Sequence, residues 1–118
     1  MQPLRIAVMG AGLIGQRHIA HVCAEPGTQL SAVIDPAPAA REVAARVGVP
    51  CYPRFAAVPA AERPDGVVVA TPNQLHVEHA LELVAAGIPV LVEKPIADSL
   101  AGAQLLVEAA EATRVPLL

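Results

Sequence analysis

The chain has 118 residues, 54% of them apolar, with one Tyr, one Phe, no Trp and a formal charge of −3. That describes one domain with an aliphatic core, lacking the stacking aromatics and the basic surface that nucleic-acid binding requires. No apolar run approaches the ~20 residues of a membrane span, and the opening MQPLRIAVMG reaches a glycine-rich turn too early for a signal peptide.

The predicted elements alternate in period along the chain. Residues 4–9 (LRIAVM) read as a buried strand, and residues 13–24 as a helix ending before Glu25-Pro26-Gly27. Residues 30–34 (LSAVI) form a second strand, stopped by Asp35-Pro36. Residues 39–47 are helical and end at Gly48; residues 49–52 are a short third strand; residues 53–63 are irregular, with one helical turn. Residues 66–70 (GVVVA) form a strand with branched side chains on both faces. A helix over 74–86 follows, with Gly87 at C′, then a strand at 90–93, a helix at 100–112 and the start of a strand at 115–118. Strands that are apolar throughout are covered on both faces. Strand and helix in strict alternation give right-handed crossovers and a doubly wound parallel α/β sheet.

Gly10-Ala11-Gly12-Leu13-Ile14-Gly15 is G-x-G-x-x-G, placed directly after the first strand and opening the first helix. In that setting Gly10 permits the tight turn, Gly12 leaves room for a pyrophosphate, and Gly15 lets helix and strand approach. The first-turn N–H groups and the helix dipole favour phosphate charge. Asp35, at the end of the second strand, is suited to accept hydrogen bonds from an adenosine ribose. Its carboxylate repels a 2′-phosphate, which favours NAD over NADP; Arg41 is the nearby residue able to reverse that preference. The plainer reading of each is a tight turn and a turn acid before Pro36.

Thr71-Pro72-Asn73 and His76 follow the fourth strand, and strand carboxyl ends face the ligand crevice in such sheets. Asn73 is placed to cap the next helix. His79 shares roughly the face of His76, whereas His18 and His21 read as packing or surface residues. Lys94, in Glu93-Lys94-Pro95, is the only lysine; the other basic residues are arginines. The ordinary reading of a strand-end lysine is a solvated charge.

Taken in order, the glycine loop, Asp35, Thr71-Pro72-Asn73 with His76, and Glu93-Lys94-Pro95 resemble the glucose–fructose oxidoreductase / inositol dehydrogenase / rhizopine-catabolism (GFO/IDH/MocA) family. The resemblance covers the whole chain. It implies a Rossmann domain over residues 1–118, strand order 3-2-1-4-5-6, with a short or truncated sixth strand. It implies an NAD(P)-dependent oxidoreductase that moves hydride between the nicotinamide and a sugar, inositol or related polyol. Lys94 would be catalytic, beside the nicotinamide and the reacting hydroxyl, with a cis bond before Pro95. Gly10, Gly12, Leu13, Ile14, Gly15, Asp35, Thr71, Pro72, Asn73, His76 and Glu93 would bind cofactor, with Glu93 turned away from the lysine.

Members of that family carry a second, mostly antiparallel domain with substrate contacts and a catalytic histidine, and nothing in this sequence corresponds to it. The expectation is therefore a cofactor domain cut from a longer enzyme, inactive alone and prone to weak self-association through its open edge. A reading from a different class is a non-catalytic dinucleotide-binding module of a redox sensor. Cys23 and Cys51 lack metal-ligand spacing and read as reduced thiols of a cytoplasmic protein, with no metal site.

Overall fold

Short runs of Val, Ile, Leu and Ala bounded by Pro, Gly and Asp set the strands, and the computed structural model, which describes residues 2–118, orders them as follows. In chain order the elements are β1 (Leu4–Met9), α1 (Leu13–Ala24), β2 (Thr28–Ile34), α2 (Pro38–Val47), β3 (Cys51–Tyr52), β4 (Gly66–Val69), α3 (His76–Ala85), β5 (Val90–Val92) and α4 (Leu100–Thr113). The strands form one five-stranded parallel sheet, β3-β2-β1-β4-β5. The order reverses at β1, which sits between β2 and β4, and the crevice of such a fold opens there.

The pleat sorts the core into two layers. Ala7, Met9, Ile34, Val67 and Val69 pack with Leu83, Val84, Leu106 and Ala110 of α3 and α4. Their strand neighbours Val8, Val33 and Val68 pack on the other face with Ile19, Ala40 and Val43 of α1 and α2. Each fully buried Val or Leu contributes about 1.5–3 kcal/mol relative to exposure. That apolar covering on both faces is why the strands show no polar alternation.

Several boundaries differ from the sequence expectation for physical reasons. β2 starts at Thr28 rather than at residue 30, because Thr28 pairs with Leu4 across the ladder and its hydroxyl donates to the Val22 carbonyl at 2.7 Å. β3 is only Cys51–Tyr52. Gly48 ends α2 in the left-handed region (φ 73), and the Val49 N–H donates back to the Ala44 carbonyl, so Val49 closes the helix instead of opening the strand. Residues 53–63 hold two 3₁₀ turns, Phe55–Ala57 and Ala60–Glu62, instead of one helical turn.

Asn73 does not cap α3. It opens a 3₁₀ turn, Asn73–Leu75, the helix proper begins at His76, and neither start carries a side-chain cap bond. α4 does have such a cap, the Ser99 hydroxyl accepting from the Gly102 N–H at 3.0 Å. Beyond α4 the expected sixth strand is reduced to one bridge, Val90 to Leu117, at the β5 edge. Among the described residues, no helix is long and apolar enough to cross a membrane.

Candidate functional site

The first loop is shaped by close backbone contacts. Gly10 has φ 97, and a Cβ there would stand 2.5 Å from the Ala70 carbonyl oxygen. A Cβ on Gly15 would stand 1.8 Å from the Gly10 carbonyl oxygen. Both glycines are therefore demanded by the protein itself. Gly12 is different. Its backbone (φ −75, ψ −165) suits any residue, and a Cβ would meet nothing within 4 Å. The protein has no use for a missing side chain at Gly12, whereas a pyrophosphate approaching the start of α1 does. Gly12 caps α1 without a side-chain bond, which leaves the first-turn N–H groups of Leu13, Ile14 and Gly15 without a side-chain partner.

Asp35 ties the loop to the end of β2. Its Oδ2 accepts from the Ala11 N–H and its Oδ1 from the Ala37 N–H, both at 2.8 Å. Each carboxylate oxygen keeps a second lone pair for a hydroxyl donor. A cavity of about 1010 Å³ opens beside it. Gly10, Gly12, Leu13, Ile14 and Asp35 line one side, and Thr71 and Pro72 another. The size suits a dinucleotide rather than a small ion.

The sequence reading missed two parts of this wall. Arg54 and Phe55, after β3, line the cavity, whereas Arg41, the arginine weighed from sequence, does not. That segment is anchored from β1: the Arg5 guanidinium donates to the Arg63 and Glu62 carbonyls, and Arg63 lies 5.2 Å from the centroid of the buried Phe55 ring. His79 also lines the cavity, its Nδ1 3.0 Å from the Thr71 hydroxyl. The signal for Arg54 was its place directly after a strand, at the carboxyl end of the sheet. Cys51 sits nearby as a free, half-buried thiol, pushed up by burial and by the Asp35 carboxylate and drawn back by Arg41.

The remaining candidates stand outside the cavity lining. Gly15 lies behind the loop, and Asn73 is exposed on its 3₁₀ turn. His76 is 1% exposed and bridges two backbone carbonyls, Nδ1 to Pro95 and Nε2 to Thr71, each at 2.7 Å. His76 thus ties the turn after β4 to the turn after β5.

Glu93 follows β5, and its Oε1 lies 2.5 Å from His18 Nε2 on α1. Its Oε2 accepts from the Lys94 N–H at 3.3 Å. The hydrogen bond from His18 holds this carboxyl below the usual carboxylate range, partial burial opposes it, and the charges of His18 and Lys94 add to the lowering. The Lys94 side chain is exposed and, among the described residues, has no ion-pair partner. The Lys94–Pro95 bond is cis. No group of three or more His, Cys, Asp or Glu among the described residues is placed to hold a metal.

Comparison with known proteins bears on this geometry. Residues 4–118 match the model of the GFO/IDH/MocA family, described as an oxidoreductase family with an NAD-binding Rossmann fold. The chain is 32% identical over 117 residues to the rhizopine catabolism protein MocA of Rhizobium meliloti, covering 99% of this chain and 37% of that protein. It is 40% identical over 111 residues to an inositol 2-dehydrogenase of Streptomyces avermitilis, covering 92% of this chain and 32% of the relative. The crystal structure of GenD2 from gentamicin A biosynthesis, in complex with NAD, superposes with a TM-score of 0.92 at 34% identity, over 99% of this chain and 34% of GenD2. The chain thus spans about a third of the length of the proteins it matches.

Proposed function

The chain belongs to the GFO/IDH/MocA oxidoreductase family, with its NAD-binding Rossmann fold, and on that premise we propose that it is the cofactor half of a dehydrogenase acting on a hydroxyl of a sugar, inositol or related polyol. The observation that carries this is Gly12, a glycine with an ordinary backbone and open space where its side chain would be. The first turn of α1 holds the pyrophosphate, and Asp35 holds the adenosine ribose and disfavours a 2′-phosphate. The nicotinamide, when bound, supplies the hydride acceptor.

Lys94 acts at the reacting hydroxyl. Its ammonium stabilises the negative charge that develops on the oxygen as the carbon loses hydride. A lysine can also pass the hydroxyl proton onward. A module that only bound the dinucleotide would have no use for an ammonium at this strand end. Substrate contacts and the completing acid–base group belong to a second domain in this reading, so the 118-residue chain alone turns nothing over.

Calorimetric titration of the chain with NAD and with NADP tests the reading. NAD binds more tightly, and Asp35→Ser narrows the gap by roughly 1–3 kcal/mol, the scale of a hydrogen bond to a charged group. Tighter binding of NADP to the native chain would overturn the role given to Asp35 and shift attention to Arg54 on the cavity wall.

A further inference from the structure

An acid next to a lysine in sequence is the obvious partner for its charge, and pairing would spoil the lysine for work at a hydroxyl. We propose that His18 is a positioning residue for Lys94: it draws the Glu93 carboxylate onto α1 and so leaves the ammonium unpaired. Glu93 and His18 meet at 2.5 Å, with side chains 29% and 24% exposed, so the contact is partly shielded from water. Such a charge-assisted bond is short and stronger than a neutral one. The other carboxylate oxygen accepts from the Lys94 backbone N–H at 3.3 Å, so the acid already borders the lysine. Among the influences on Glu93, the bond from His18 is the largest and the charge of Lys94 the smallest.

The other side of the lysine is held as well. His76, from α3, bonds the Pro95 carbonyl at 2.7 Å and fixes the backbone just after Lys94. The residues before and after the lysine are therefore each gripped by a histidine from a helix on an opposite face of the sheet. The value of this arrangement for turnover rests on the catalytic reading of Lys94; the diversion of Glu93 does not.

Lys94 is the only lysine, so its reactivity is read without ambiguity. The chain is treated with an N-hydroxysuccinimidyl ester at fixed pH and low ionic strength. Acylation of Lys94 is followed by peptide mass spectrometry, with the N-terminal amine as internal reference. In His18→Leu, which has no donor to hold it, the freed carboxylate pairs with the ammonium, and Lys94 reacts about two- to fivefold more slowly, the scale of an exposed ion pair. Adding Glu93→Gln to that variant, or adding 1 M salt (about a 3 Å screening length), restores the native rate. Glu93→Gln alone changes little, because the carboxylate is already turned away.

An unchanged rate in His18→Leu overturns the proposal. So does a slowing that Glu93→Gln fails to rescue, which would mean that His18 acts through the fold. Faster acylation in Glu93→Gln alone overturns it too, and this last arm needs no change at His18. Turnover in a Lys94→Ala variant of the whole enzyme tests the catalytic reading separately, since none of these rates depends on activity.

Discussion

At the end of β1 the chain turns through residues 10–15 on close backbone contacts, with one side-chain tie from Asp35 to the Ala11 N–H. At the end of β5 it turns through residues 93–95 on bonds from side chains elsewhere in the fold. In the first turn Gly10 and Gly15 exclude other residues because backbone atoms stand where a Cβ would be. In the second, Glu93 is fixed by His18 from α1 and the Pro95 carbonyl by His76 from α3. The first region can be rebuilt only by restoring glycine. The second can be loosened one bond at a time, so its chemistry is tunable without loss of the fold.

The sharpest way to break the first region is Gly15→Ala. The added Cβ would lie 1.8 Å from the Gly10 carbonyl oxygen, and neither backbone can retreat far. A cost above about 4 kcal/mol is expected, a large part of a domain's whole stability. Denaturant unfolding should show little cooperative transition and no NAD binding; a native-like transition would mean that the loop is softer than its contacts imply.

For the second region the counterpart is Lys94→Ala, in the whole dehydrogenase proposed above. Loss of a group that stabilises charge and moves a proton lowers turnover by ~10²–10⁴-fold, with NAD affinity little changed. Stability stays native, since the side chain is exposed and unpaired. Near-normal turnover would return Lys94 to a solvated strand-end charge.

Gly12→Ala separates the two meanings of glycine within the first region. The backbone there is unstrained and the space is open, so stability should change by no more than about 0.5 kcal/mol. NAD affinity should fall about tenfold or more as the methyl meets the pyrophosphate. Unchanged affinity would remove the observation on which the cofactor reading rests.

The same contrast explains what could be read from sequence. The glycine loop and both helix layers follow from local spacing and apolar runs, and these survive in a single chain of letters; the sheet order was implied by the family resemblance. Asp35 was legible because its place after β2 is part of that spacing. His18 was not: it lies 75 residues from Glu93, and nothing local marks a helix histidine as the partner of a strand-end acid. His76 was read as facing the crevice because it follows β4, yet burial and two carbonyl partners make it a tie between turns. Asn73 looked like a helix cap because local propensity favours one, but Pro72 leads into a 3₁₀ turn first. Arg54 lines the cavity from an irregular segment whose far end Arg5 and Asp65 pin to β1, an arrangement made across 60 residues.

The smallest expected effect concerns pH, and it tests whether the second region is held as described. Glu93 has its carboxyl lowered by the His18 bond, so the folded state favours the ionised form. For a lowered acid the stabilisation is fully present above the unfolded-state value, and it fades as pH falls through the folded-state value. Native chain and Glu93→Gln should therefore differ in stability near neutral pH, by at most about 1 kcal/mol for so exposed a pair. The difference should close as the solution is made acid. Chemical unfolding of both chains across that range measures it. In a His18→Leu background the gap should shrink at neutral pH, because the main cause of the lowering is gone. A gap that persists in acid, or that ignores His18, would mean that Glu93 is held by something other than this pair, and that the turn at Lys94 is built more like the glycine loop.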